Sequence, residues 1–242
     1  MWMGGSEPMR SSYKSLPDDF CLLDELLEDE ALLDAARACI DAQRDAGSLD
    51  RFESAPPSEA QAAVSVEALQ RILASGTDVH GISREDEISN VITFNAPNID
   101  NAVTDAGIAR RRAALDAIVG ERLDRHLHLG VRHRIANSGH FWYPNTSYMG
   151  WHTNYRAPGW RVYLTHATEP GRSFFRYRDP VSGDVVTSHD RLWDVRLFRV
   201  DPARPFWHCI YSETDRFSFG YLIYTGGPLY SLRRAFKRLL TK

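Results

Sequence analysis

The chain has 242 residues, of which 43% are hydrophobic and 25% charged, a composition typical of one globular domain with a sizeable core. The formal charge of -3 provides no basic field that would attract nucleic acid, and no acidic excess that would favour disorder. No stretch approaches the ~20 apolar residues that a membrane-spanning helix needs. We therefore expect no membrane partner, and nucleic acid is not a favoured one.

Three cysteines, Cys21, Cys39 and Cys209, are widely spaced and form no CxxC pair. An odd number of dispersed thiols argues against a disulfide framework and fits a reducing compartment. The first ten residues lack the apolar run of a signal peptide. The expected location is cytoplasmic, and the sequence indicates no oligomeric state.

The first half of the chain is predicted to be mainly helical. Residues 1–16 have the polar, Gly- and Ser-containing composition of a loose tail, and residues 17–130 form a helical support region. Apolar residues recur there at helical spacing, with one β-like segment at residues 88–94. The predicted helices cover residues 17–46, 65–74 and 104–128.

The sequence pattern changes in residues 131–242, where short segments rich in aromatic and β-branched residues are separated by Pro and Gly. Short strands at this spacing favour a sandwich or barrel over alternating β-α units. The prediction is an α+β fold in one compact domain, with helices packed on an antiparallel core and a basic amphipathic helix over residues 229–242. The predicted strands cover residues 131–135, 139–143, 161–166, 173–177, 185–188, 195–200 and 217–224.

Two histidines and an asparagine in the β half are candidate metal ligands. His152 and Asn154 are two residues apart, so on an extended chain their side chains share a face. His208, from a distant segment, could meet them at one point. Two histidines and an oxygen donor leave three positions open on a metal, which is the arrangement of non-heme Fe(II) oxygenases. Those positions would hold a bidentate 2-oxo acid and O2.

An organic dianion at such a centre also needs a cation for its far carboxylate. Arg216 lies eight residues beyond His208, and the planar guanidinium matches a carboxylate in bidentate fashion. Ser218 has the same strand parity as Arg216 and could add a hydroxyl donor.

From about residue 132 to residue 224, the chain resembles the iron(II)/2-oxoglutarate-dependent oxygenase superfamily, whose pattern is His-x-Asp/Glu, a distal His and a later Arg, often Arg-x-Ser. The resemblance implies that His152 and His208 bind Fe(II) and that Arg216 and Ser218 bind the cosubstrate 2-oxoglutarate. Tyr143 resembles a tyrosine that hydrogen-bonds the cosubstrate in several branches. The resemblance further implies a double-stranded β-helix, a jelly-roll or cupin-like fold. The implied activity is hydroxylation of a C–H bond in an unidentified organic substrate, with succinate and CO2 as co-products.

Asn154 departs from this pattern, because the family has a carboxylate at its position. A neutral amide is a poorer ligand for Fe(II), since it lacks the charge. Three interpretations stay open: the amide oxygen ligates, or water or halide takes its place as in iron halogenases, or the protein is a non-catalytic module that binds a metal or small acid. Iron halogenases have Ala or Gly at this position, and the larger Asn would partly fill the halide site. Halogenation is therefore a less favoured interpretation than hydroxylation. Asp190 or Asp194 could also complete the site.

Two further sequence features bear on the function and on the site. Residues 149–152 resemble the nucleic-acid demethylase branch, but that branch has a second arginine six residues after the first, where this chain has Leu222. The demethylase interpretation is thereby weakened. Among the remaining histidines, His166 is the one that its predicted strand would bring near the site.

Overall fold

Two antiparallel sheets form the β half of the protein. Along each strand, alternate side chains face an interior that the two sheets share, and the others face helices or solvent. The computed structural model describes residues 16, 20–45, 54–75, 89–95, 106–129, 133–155 and 157–225. The strands are β1 (Phe20–Leu22), β2 (Ile92–Asn95), β3 (His133–Tyr143), β4 (Ser147–His152), β5 (Gly159–Ala167), β6 (Ser173–Arg178), β7 (Val185–His189), β8 (Trp193–Val200), β9 (His208–Ser212) and β10 (Arg216–Thr225). The helices are a short 3-10 helix (Asp24–Glu28), α1 (Glu30–Asp45), α2 (Pro57–Ala63), α3 (Val66–Ala74) and α4 (Ala106–Leu127).

The order of the strands identifies the fold. The larger sheet has six strands in the order β1-β8-β5-β10-β3-β2, and the smaller has four in the order β4-β9-β6-β7. From β3 to β10 the chain passes repeatedly between the two sheets, so that β8-β5-β10-β3 faces β4-β9-β6-β7. This is the jelly-roll arrangement of a double-stranded β-helix. The predicted fold class is confirmed, and β1 and β2 extend the larger sheet at its two edges.

The interior between the sheets is aromatic. Tyr143 of β3, Phe175 of β6, Phe198 of β8 and Ile210 of β9 belong to one buried cluster with side chains from both sheets. Phe206, just before β9, stacks on Phe198 with 4.8 Å between ring centroids. Buried aromatic surface of this kind is a large source of stability, and it encloses the polar groups described below.

Helices cover the outer faces of both sheets. Helices α1 and α4 pack on the larger sheet through an apolar cluster that includes Leu33, Leu115, Leu164 and Phe219. Helices α2 and α3 cover the smaller sheet, where they bury Trp151 and Trp207 among other residues. In the described part of the chain, no helix is both long and apolar enough to cross a membrane.

The predicted helix over residues 17–46 is wrong at its beginning. Phe20 opens strand β1, pairs with Phe198 of β8 and stacks on Tyr177 at 4.5 Å. Helix α1 begins only after Asp29, whose carboxylate accepts a hydrogen bond from the Leu32 N–H at 3.0 Å and so caps the first turn. Tertiary pairing of an aromatic residue with the sheet edge therefore overrides the helical spacing.

Other predicted elements differ in detail. Helices α3 and α4 agree with the predicted segments 65–74 and 104–128. The described residues of segment 131–135 and the whole of segment 139–143 belong to one strand, β3, whose ladder with β10 shifts register between Gly220 and Tyr221. Strands β4 and β9, which carry the two candidate histidines, were not predicted as strands. The predicted helix over 229–242 and nearly all of the predicted tail lie outside the described residues.

Candidate metal and cosubstrate site

The two candidate histidines meet at one end of the smaller sheet. His152 ends β4, His208 begins β9, and the two residues are register partners. Their ring centroids lie 4.1 Å apart, and both side chains are buried. The structure therefore brings together two imidazoles that are 56 positions apart in the sequence, as the sequence predicts.

Backbone carbonyls select the tautomer of both rings. His152 Nδ1 lies 2.8 Å from the Gly150 carbonyl oxygen, and His208 Nδ1 lies 3.0 Å from the Phe206 carbonyl oxygen. A carbonyl only accepts, so each Nδ1 carries the hydrogen and each Nε2 keeps its lone pair. An imidazole that donates from one nitrogen to a carbonyl and offers the other is the usual form of a metal-binding histidine.

Both rings are also neutral at physiological pH. Burial lowers the pKa of His152 to about 4. Burial, with the neighbouring His152 as the next cause, lowers the pKa of His208 well below its ordinary value. Neutral imidazoles need no deprotonation before they bind a metal.

Asn154 lies beside the ring of His208, although β4 ends at His152 and the backbone at Asn154 is not extended. Its amide nitrogen is 3.2 Å from His208 Nε2 and 3.4 Å from the Tyr163 hydroxyl oxygen, so the amide donates to both. Its backbone has φ +56°, a left-handed conformation that asparagine adopts more readily than most residues. The carbonyl of Asn154 accepts from the Ala157 N–H at 3.1 Å, which closes the turn after β4. Asparagine thus suits this position for a backbone reason as well as a chemical one.

Arg216 lies at the opposite end of the interior, at the start of β10. It is fully buried; its Nε donates to Asp190 Oδ2 at 2.8 Å and its Nη2 to Thr165 Oγ1 at 3.5 Å. Its Nη1 has no hydrogen-bond partner among the described residues. The guanidinium carbon lies 4.9 Å from the centre of the Tyr143 ring. One donor of a pre-oriented guanidinium is thus available to an incoming carboxylate.

The other two predicted cosubstrate residues share the interior with Arg216. Ser218 is buried two residues along β10. Tyr143 is fully enclosed, burial raises the pKa of its hydroxyl, and that hydroxyl lies 3.8 Å from the Met149 sulfur. These placements agree with the predicted positions, while the cosubstrate roles of both residues stay predictions.

Asp190 and Asp194 do not complete the metal site, so that hypothesis is wrong. Asp190 Oδ1 lies 2.7 Å from Arg196 Nη1, and its Oδ2 accepts from Arg216. Asp194 is held by Arg191 at 2.7 Å and by Arg196 at 3.2 Å. Burial disfavours the charged form of Asp190, but the two arginines outweigh burial and hold its pKa below the ordinary value. Both carboxylates are therefore committed to arginines.

The expectation for His166 is also wrong. On β5 its side chain has the parity opposite to Tyr163, and it lies 4.5 Å from Trp193 on the face that α1 covers. Charges on α1, Arg44 and Arg37, help burial to lower its pKa. Strand parity, rather than strand membership, excludes it from the site.

The sequence interpretation missed the polar face of β5. Arg161, Tyr163 and Thr165 alternate with apolar residues and point into the interior near the site. Alternation at i, i+2 and i+4 is the signal that could have identified them. No comparable pattern in the local sequence predicts that Asp190 is the partner of Arg216.

The described residues contain no group of three or more His, Cys, Asp or Glu side chains that could hold a metal. An Fe(II) ion would therefore be held by His152 and His208 beside the amide of Asn154. Two neutral imidazoles with unprotonated Nε2 atoms fit such an ion. The third member of the donor set is a neutral amide, whose nitrogen faces His208 Nε2 in this structure.

No family model and no curated protein matches the chain. Solved structures do match. A prolyl hydroxylase from Trichoplax adhaerens, in complex with a hypoxia inducible factor peptide fragment, is 11% identical, with 86% of this chain and 84% of that chain covered and a TM-score of 0.47. An oxidoreductase of the 2OG-Fe(II) oxygenase family from Burkholderia pseudomallei is 13% identical, covering 73% and 95%, with a TM-score of 0.41. The non-heme alpha ketoglutarate dependent epimerase SnoN is 16% identical, covering 80% and 83%, with a TM-score of 0.35.

These similarities concern the fold alone. The chemistry of this chain has to follow from its own residues.

Proposed function

We propose that the chain is an iron(II)- and 2-oxoglutarate-dependent oxygenase that hydroxylates a C–H bond of an organic substrate. The observation that carries the proposal is the pairing of two neutral, tautomer-selected imidazoles at one end of the interior with a buried arginine at the other. Histidine alone or arginine alone has many structural uses. The histidine pair and Arg216 lie at the two ends of one interior and follow one another in the order of the sequence motif. This placement favours the binding of a keto-diacid between them.

In this proposal each residue has a separate task. His152 and His208 hold the ion, with Asn154 beside them, and Arg216 pairs with the far carboxylate of 2-oxoglutarate through Nη1. Ser218 adds a hydroxyl donor, and the aromatic interior excludes water. Fe(II) with bound 2-oxoglutarate supplies the oxidation: one O2 is consumed, the 2-oxo acid becomes succinate and CO2, and the substrate C–H becomes C–OH.

The test is anaerobic titration of the protein with Fe(II) and 2-oxoglutarate, monitored by the weak metal-to-ligand charge-transfer band. Wild type is expected to develop the band, and His208→Ala is expected to lose it. An Asp201→Asn variant, altered outside the interior, provides a matched control that should keep it. A wild-type protein without the band would contradict the proposal.

The neutral Asn154 favours one alternative, a non-catalytic module that binds a metal or small acid in the same pocket. Aerobic turnover of 2-oxoglutarate to succinate separates the two, because a binding module forms none. Succinate formation that disappears in His208→Ala would reject the module. Dependence of a product on added chloride would instead assign the site to a halogenase.

A further inference from the structure

Arg161 is a buried arginine that has no carboxylate partner among the described residues. In the described part of the chain, the buried ionic side chains are three arginines and two aspartates, namely Arg161, Arg196, Arg216, Asp190 and Asp194. Two of the arginines share the two aspartates in the network described above. The third, Arg161, is only 5% exposed. Among the buried side chains that the structure describes, one positive charge therefore remains unbalanced.

The contacts of Arg161 leave part of its guanidinium unsatisfied. Its Nη2 donates to the Ala157 carbonyl oxygen at 3.1 Å, whereas its buried Nε has no hydrogen-bond partner among the described residues. Burying a charge without a counter-charge costs free energy, and a buried donor without an acceptor adds to the cost. Such a group is explained when a ligand supplies the missing anion.

Arg161 lies at the histidine end of the interior. It shares a strand face with Tyr163, whose hydroxyl contacts the amide of Asn154. Its register partner on β8 is Phe198, whose ring centroid lies 5.1 Å from that of His208. Arg161 and Arg216 are thus two separate cationic positions, one beside the proposed metal and one at the far end.

The charges of the proposed complex do not cancel without a further anion. Fe(II) and the 2-oxoglutarate dianion balance each other, and the two buried aspartates balance Arg196 and Arg216. Arg191, which is half-exposed and also contacts Asp194, is balanced by Asp24. Asn154 contributes no charge where a carboxylate would contribute one. The positive charge of Arg161 is therefore left over, in a water-poor interior where unbalanced charge is costly.

We propose that Arg161 binds a carboxylate of the organic substrate, so that the substrate class is an organic acid held beside the histidine pair. This inference rests on the proposed function for the identity of the site as an active site. The binding of a carboxylate to Arg161 does not require iron, so the two proposals can fail separately.

The first experiment uses metal-free protein and two matched pairs of probes, butyrate with butyramide and phenylacetate with phenylacetamide. At about ten times its Kd, a bound carboxylate should raise the Tm of wild type by about 2–4 °C, while the neutral amides do not. Arg161→Met should lose the shift, and Arg161→Lys, which keeps the charge, should retain part of it. Arg110→Met, which removes an exposed arginine on α4, should behave like wild type.

The Tm measured without ligand provides a second readout. If Arg161 only supported the fold, Arg161→Met would have a lower Tm than wild type. Removing an unpaired buried charge should leave the Tm of Arg161→Met equal to or above that of wild type. A lower Tm would indicate that Arg161 supports the fold and would overturn the inference. So would a carboxylate shift that persists in Arg161→Met, or the absence of any carboxylate shift in wild type.

The second experiment assigns the carboxylate to the substrate rather than to 2-oxoglutarate. Anaerobic titration of the iron-loaded protein should give Arg161→Met a Kd for 2-oxoglutarate within about twofold of wild type. A Kd raised about tenfold or more would assign Arg161 to the cosubstrate and overturn the inference. If wild type shows no charge-transfer band at all, the proposed function fails while the metal-free result still decides whether Arg161 binds carboxylates.

Discussion

Arg216 and Asp190 form an ion pair inside the barrel, with 2.8 Å between Nε and Oδ2 and both side chains fully buried. Asp190 also accepts from the Ser173 hydroxyl at 2.5 Å and contacts Arg196, so its position is determined from three sides. The pair holds the guanidinium of Arg216 in place before any ligand arrives. Pre-orientation of this kind reduces the entropy that a ligand must overcome on binding.

Breaking this pair should destabilise the protein strongly. Asp190→Asn leaves two buried guanidinium groups without their shared counter-charge, so we expect the free energy of unfolding to fall by about 3 kcal/mol or more. Equilibrium denaturation in urea measures the change. The control is Asp201→Asn, which removes a partly exposed partner of Arg199 and should cost less than about 1 kcal/mol. Equal effects of the two substitutions would contradict the proposed importance of burial.

Removing the guanidinium at the far end should affect the cosubstrate and spare the metal. Arg216→Met deletes the charge-assisted bonds to the far carboxylate, so the Kd for 2-oxoglutarate should rise by about tenfold to a hundredfold. Anaerobic titration by the charge-transfer band measures it. Binding of Fe(II) in the absence of 2-oxoglutarate should stay within about twofold of wild type, because the histidines lie at the other end of the interior. Equal losses of both affinities would indicate general unfolding instead.

The charge of residue 154 should set the affinity for the metal. Asn154→Asp places an anionic oxygen donor beside His208, so we expect Fe(II) to bind about tenfold more tightly or better. Aspartate also tolerates the left-handed backbone at this position, so the turn should be kept. Competition with a metal-sensitive dye measures the affinity. An unchanged Kd for Fe(II) would mean that the side chain of residue 154 does not coordinate the ion.

The metal-free protein should lose stability as the pH falls below 6.5. Burial lowers the pKa of His140 to about 3 and that of His152 to about 4, whereas the unfolded chain protonates both near pH 6.5. The unfolded state then binds more protons, so each histidine removes up to about 1.4 kcal/mol per pH unit until its folded pKa is reached.

Substitution of His140, which lies outside the proposed metal site, isolates one of these contributions. His140→Gln should make the decline in unfolding free energy between pH 6.5 and 4 shallower by the share of one histidine. Urea denaturation at several pH values measures the slope. A slope that matches wild type would show that His140 is already protonated in the folded protein.

Local sequence was sufficient to predict the helices and strands that have a strong hydrophobic periodicity and that form without help from a distant partner. Helix α4 is recognisable from its apolar stripe alone, and the strands of the β half from their alternation and turn residues. Strand β1 was missed because Phe20 becomes extended only by pairing with β8. Strands β4 and β9 were missed because their residues are buried on both faces, which removes the alternation.

The sequence by itself determined which chemical groups are available: two imidazoles, an amide in place of a carboxylate, and an Arg-x-Ser pair with the right strand parity. Only the tertiary structure decided which charges are paired. Asp190 lies 26 positions from Arg216 and is nevertheless its partner, while Arg161 has no carboxylate partner among the described residues. The physical reason is that ion pairing falls off over a few ångströms, and such distances between strands are set by sheet register and packing rather than by the local sequence.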